Sequence, residues 1–170
     1  IMRNSISKFL SLAVLAALVL TTSCSNDDEP NGSGDVTTFV LDRENLMGEI
    51  NDGEVILESG TYKLTGKLIV NANAKLTIKA GVRVEATSVE AGDFAAVRYI
   101  AVAQDGQIDI QGTSSNPVVM TSTTQAPGAW GGLVICGRAP INKGLTASAE
   151  VSDLTYGGTE SADNSGSIRY

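Results

Sequence analysis

The chain has 170 residues, 12 basic against 19 acidic, with no histidine and a formal charge of −7. That balance argues against nucleic acid and anionic headgroups as partners, and the missing histidine removes His-based triads and the commonest zinc ligand. The length leaves room for one folded domain once a leader is removed.

In chain order, the first segment reads as a leader. Met2 is the natural start, Arg3 and Lys8 give a positive n-region, and Phe9 to Leu20 form an apolar run of twelve residues. A membrane-spanning helix needs roughly 20 residues, so this run fits a secretory signal peptide over residues 1–23. Leu20, Thr21, Thr22 and Ser23 precede Cys24 and resemble a bacterial lipobox, although Thr21 stands where an aliphatic residue is usual. Lipidation is expected at Cys24, because a thiolate is the nucleophile that accepts diacylglycerol. Two or more acyl chains give stable membrane attachment where one is marginal.

Residues 24–38 read as the lipidated cysteine and a flexible acidic tether, polar and almost free of apolar side chains. Loss of residues 1–23 removes Arg3 and Lys8 and no acid, so the charge moves from −7 to −9. The Asn31 acceptor pattern is read as linker composition. The run Asp27, Asp28, Glu29 directly behind the cysteine resembles the surface-export signal of Bacteroidota-type lipoproteins, which implies a lipid-anchored outer-membrane protein facing the exterior.

Residues 39–170 read as short β-strands. "LDRENLMGEI" is expected to be irregular structure leading into a strand. In "KLTIKAGVRVEA", Leu76, Ile78, Val82 and Val84 alternate with Lys75, Thr77, Lys79, Arg83 and Glu85, the period of a half-buried strand broken by a turn at Gly81. "GQIDIQG" repeats the pattern, with Ile108 and Ile110 inward and Gln107, Asp109 and Gln111 outward. "PVVMTS" and "WGGLVICG" are two further short runs, and Cys136 in the second reads as a buried, inert thiol.

Two segments are copies. "VNANAKLTIKAG" from Val70 aligns with "VAQDGQIDIQGT" from Val102 at a shift of 32 residues, placing Leu76 on Ile108 and Ile78 on Ile110. Such a period suggests stacked coils, each pairing with the next. The competing arrangement is an antiparallel sandwich, for which Asp52-Gly53 offers a hairpin turn.

"GTYKLTGKLIVNANAKLTIKAG", "QIDIQGTSSNPVVMTS", "GAWGGLVICGRAPIN" and "DNSGSIRY" resemble, in this order, a family of bacterial surface lipoproteins often labelled multidrug transporters. The resemblance spans Gly48 to Tyr170 and is most specific from Gly106 to Asn142. It implies an all-β fold, a right-handed parallel β-helix (solenoid). It also implies a chain incomplete at the C-terminus, because in that family the segment like "SGSIRY" leads into further coils. The transporter label has no support in apolar segments after the leader.

Candidate sites are sparse. Trp130, flanked by glycines in "PGAWGGLV", is a ligand-binding candidate because an open ring face stacks on sugars; packing at a coil corner competes with that role. Asp153, Glu160 and Asp163, near Asn164, match no calcium-loop spacing, and no metal or cofactor is expected. Lys75, Lys79, Arg83, Asp109 and Gln111 could line a shallow carbohydrate groove. The expected function is a non-catalytic binding or scaffold module for a glycan or protein, or an accessory to an outer-membrane transport complex. The alternatives are a polysaccharide lyase or hydrolase with its catalytic residues in further coils, and an adhesive or structural stalk. Fold alone does not license an enzymatic assignment.

Overall fold

The structure is a computed structural model that describes residues 39–89, 93 and 96–170. The leader, Cys24 and the acidic tether lie outside the described residues. Within them, every regular element is a strand, and no helix is long and apolar enough to cross a membrane.

The strands are β1 (Leu46–Ile50), β2 (Gly53–Leu57), β3 (Gly60–Val70), β4 (Ala74–Ile78), β5 (Val82–Ala86), β6 (Tyr99–Val102), β7 (Gln107–Gln111), β8 (Val119–Ser122), β9 (Leu133–Ile135), β10 (Ala147–Ser148), β11 (Thr155–Tyr156) and β12 (Gly166–Arg169). Apart from the small antiparallel pair β10–β11, the strand pairings are parallel, and they form three ladders that the chain visits in turn. Ladder a joins β1, the second half of β3, β6 and β9, with Ile50, Val70, Val102 and Ile135 in register. Ladder b joins β2, β4, β7 and β12, with Leu57, Ile78, Ile110 and Ile168 in register. Ladder c joins the first half of β3 to β5 and β8, with Tyr62, Val84 and Met120 in register.

The 32-residue copies are therefore neighbours. Leu76 pairs with Ile108 and Ile78 with Ile110, as their alignment predicts. These four residues are 0–3% exposed and belong to one core with Leu57, Val70, Val82, Val84 and Val102. Burying such side chains supplies roughly 1.5–3 kcal/mol each, and alternation along every strand sends them to the same interior. The sandwich alternative fails at Asp52-Gly53. This dipeptide turns a corner between ladders a and b, and β1 and β2 pair with β3 and β4, not with each other.

Corners repeat as the strands do. Asn73 and Asp105, one copy apart, both take left-handed backbone, φ 67° and 65°, a conformation that Asn and Asp accept more readily than other side chains. The Asn73 N–H donates to the Asp105 carbonyl across 3.2 Å, which stitches the two corners together. In the fourth circuit the same corner is replaced by an excursion, residues 137–165, that carries β10 and β11.

The first circuit is closed over by the preceding segment. Phe39 packs against the core, the Arg43 guanidinium lies 4.5 Å from the Tyr62 ring centroid, and the Lys63 N–H donates to the Arg43 carbonyl at 2.7 Å. "LDRENLMGEI" is irregular up to Asn45 and enters β1 at Leu46, as expected.

Candidate functional site

The outward side chains of ladder b form a polar surface laced with hydrogen bonds. Parallel pairing without slippage aligns them in columns. Glu54, Lys75 and Gln107 make the first, and Ile56, Thr77, Asp109 and Ser167 the second. Gln111 and Arg169 are register partners in the third, and Lys79 joins them by donating to Gln111 Oε1 at 3.1 Å.

Hydrogen bonds tie these columns into two networks. Glu54 accepts from Thr77 at 2.6 Å and pairs with Lys75 at 3.1 Å. Asp109 accepts from Ser167 and from Gln111, each at 2.6 Å, and faces Arg169 at 3.4 Å. Both carboxyls are held below their ordinary range, Glu54 first by the Thr77 hydroxyl and then by Lys75, Asp109 first by Ser167 and then by Gln111. Hydrogen bonds to the ionised form favour it.

The strand period places Thr77 outward, yet it is 2% exposed. Its register partners Ile56 and Asp109 stand on either side, and Glu54 reaches across to its hydroxyl. Lys75, Lys79, Asp109 and Gln111 of the predicted groove do come together on this face. Arg83 does not. It lies on ladder c, where it pairs with Glu85 at 2.6 Å, because alternation along a strand gives inside or outside but not which of three outer faces.

Trp130 is away from ladder b. It is half-buried against the core, and its glycine neighbour has a packing reason. A Cβ at Gly131 would sit 2.8 Å from Val151 Cγ1 and 2.9 Å from Val97 Cγ1. Residue 131 is therefore small because the excursion crosses there. All four residues of β6 are buried as well. Asp153, Glu160 and Asp163 do not converge, and among the described residues no group of three or more His, Cys, Asp or Glu could hold a metal ion. Cys136 is 1% exposed, and burial pushes its thiol pKa up.

The excursion is clasped beside ladder b. Gln104 donates to the Gly137 and Gly157 carbonyls at 3.2 and 2.8 Å, Arg138 pairs with Asp105, and Gln107 donates to the Asn164 carbonyl at 2.6 Å. At the other end of the face an open cleft of about 550 Å³ is lined by Gln111, Gly112, Thr113, Ser114, Arg169 and Tyr170. Tyr170 is 77% exposed there, and its carbonyl accepts the Val118 N–H at 3.3 Å. The sequence reading did not single out Tyr170. "SGSIRY" would have shown it only if β12 had been placed beside β7.

An in-register row of carboxylates, amides, hydroxyls and cations can bind a polyhydroxylated chain. Its two carboxylates, held below their usual range, are weak general bases. Parallel ladders visited in turn, with a polar outer face, define a β-helix protein. The sequence pattern of the pectate-lyase like beta helix domain family matches residues 48–170, and the chain belongs to that family. No curated protein and no solved structure matches it.

Proposed function

We propose that this chain is a non-catalytic glycan-binding module built on a right-handed parallel β-helix and carried at the outer-membrane surface by a lipid on Cys24. The single observation that carries the binding reading is the register of ladder b. Glu54, Lys75, Thr77, Gln107, Asp109, Gln111, Ser167 and Arg169 occupy one sheet face in aligned columns. Strands in a ladder lie about 4.8 Å apart, a spacing close to that of successive sugar units. Right-handed winding accords with the handedness of nearly all parallel crossovers. The leader, the lipobox-like stretch and the acidic tether support the surface address.

The family match also supports a lyase reading, in which a basic side chain on this face would abstract a proton. The two carboxylates held ionised and tied to neighbours speak for binding. The deciding experiment incubates the full chain with oligosaccharides and follows both retention and cleavage. Retention without new chain ends is the expected result. Appearance of an unsaturated sugar chromophore would replace the binding reading with the lyase one.

A further inference from the structure

The outer face of ladder b has hydrogen-bonding capacity to spare but no cation to spare. Resting on the glycan-binding reading of this face, we infer that its part on β2, β4 and β7 takes an uncharged stretch of glycan and rejects uronate units.

Acid stands against base along the columns. Glu54 and Lys75 are register partners and pair at 3.1 Å. Glu58 follows Leu57 and Lys79 follows Ile78, themselves register partners, so the third column also brings an acid level with a base. Asp109 is the remaining charged residue on the outer side of these strands. It is held ionised first by Ser167 and Gln111, then by the charges of Arg169 and Lys75. Three acids thus meet two bases, and the third base, Arg169 of β12, already faces Asp109 at 3.4 Å. A sugar carboxylate finds no surplus cation here, and the chain's formal charge of −7 repels it from a distance.

To hold a uronate, Lys75 would have to turn from Glu54 and leave that carboxylate beside the incoming one. A carboxylate drawn out of water beside a like charge, with no partner of its own, is costly. Sugar hydroxyls meet no such conflict. Each offers one donor and two acceptor sites, and an ammonium offers three donors. Among the described residues, Lys75 spends one donor on Glu54 and Lys79 one on Gln111. Glu54 accepts from both Thr77 and Lys75 on Oε1, which leaves Oε2 for a hydroxyl, and Asp109 Oδ2 accepts from Gln111 with one lone pair over. Ile56, 37% exposed and level with Thr77, adds an aliphatic patch suited to the C–H face of a pyranose.

The test is calorimetric titration of the full chain with neutral hexasaccharides of gluco, manno, xylo and galacto configuration, and with a galacturonate hexamer. At least one neutral hexamer should bind about tenfold or more tightly than the galacturonate hexamer. Its affinity should stay constant between about 0.05 and 0.5 M sodium chloride, because no ion pair forms. The double variant Glu54→Gln, Asp109→Asn frees the bases, and with circular dichroism showing a kept fold it should gain galacturonate binding at low salt. Parent chain that binds the galacturonate hexamer as tightly as any neutral one would overturn the inference and leave the glycan-binding reading standing. So would a folded double variant that gains no galacturonate affinity. Binding of no probe would overturn the glycan-binding reading itself.

Discussion

Ile110 and Ile168 are register partners on β7 and β12, yet one is 3% exposed and the other 57%. Both stand at the same inward position of ladder b, below Ile78 and Leu57. Among the described residues of the 170-residue chain, only Ile110 has a strand on each side of it. The same substitution should therefore give two different results. Ile110→Ala is expected to cost about 2–5 kcal/mol, and Ile168→Ala no more than about 0.5 kcal/mol. Denaturant unfolding of the two variants measures the gap, and equal losses would contradict the shared-core arrangement.

The polar face carries a pH dependence with a fixed sign. Asp109 and Glu54 have folded pKa values below their unfolded ones, so their contribution is complete above the unfolded carboxylate range of about 4. It is lost as pH falls through the lower folded values. Asp109→Asn with Glu54→Gln should narrow the stability difference between pH 7 and strongly acid solution. A profile identical to that of the parent chain would show that these networks add nothing.

Cys136 should behave as a protected thiol. Its burial, with the raised pKa, keeps the thiolate fraction and the access of a reagent low. In a Cys24→Ser chain, iodoacetamide should leave the native protein unmodified at pH 8 and add one label after denaturation. Labelling at the rate of a free thiol would place Cys136 at the surface.

The clasp on the excursion is open to a direct trial. Lys143 is exposed on it, and Gln104 supplies two of its side-chain attachments. Gln104→Ala should speed tryptic cleavage after Lys143 while leaving the core strands uncut. Unchanged cleavage would mean that the other contacts suffice.

Attachment at Cys24 is tested in cells. Cys24→Ser should release the protein from membranes or leave the leader uncleaved, and unchanged fractionation would rule the anchor out.

The stack was legible where two circuits have equal length. Leu76 with Ile108 and Ile78 with Ile110 could be read from a constant shift, because β4 and β7 and the corners before them contain the same number of residues. The fourth circuit broke that rule. Between Ile110 and Ile168 lies the excursion, so no period points from β7 to β12, and the cleft with Tyr170 stayed hidden. Thr77 stands in an outward column as its strand period predicts, yet it is covered, because a strand period knows nothing of what lies across the outer face. Arg83 was grouped with Lys79 for the same kind of reason, since the corner at Gly81, φ 77°, rotates the chain onto another ladder. Trp130 drew attention through its glycines, and at Gly131 the small residue serves the crossing of Val151.

The three ladders have a kinetic consequence. Each circuit touches only its neighbours, so the domain behaves as a short zipper with a gradient of lifetimes along its axis. In the 170-residue chain the amides of β12, which among the described residues pairs with β7 alone, should trade their hydrogens with solvent first. Those of β4, clamped between β2 and β7, should trade last.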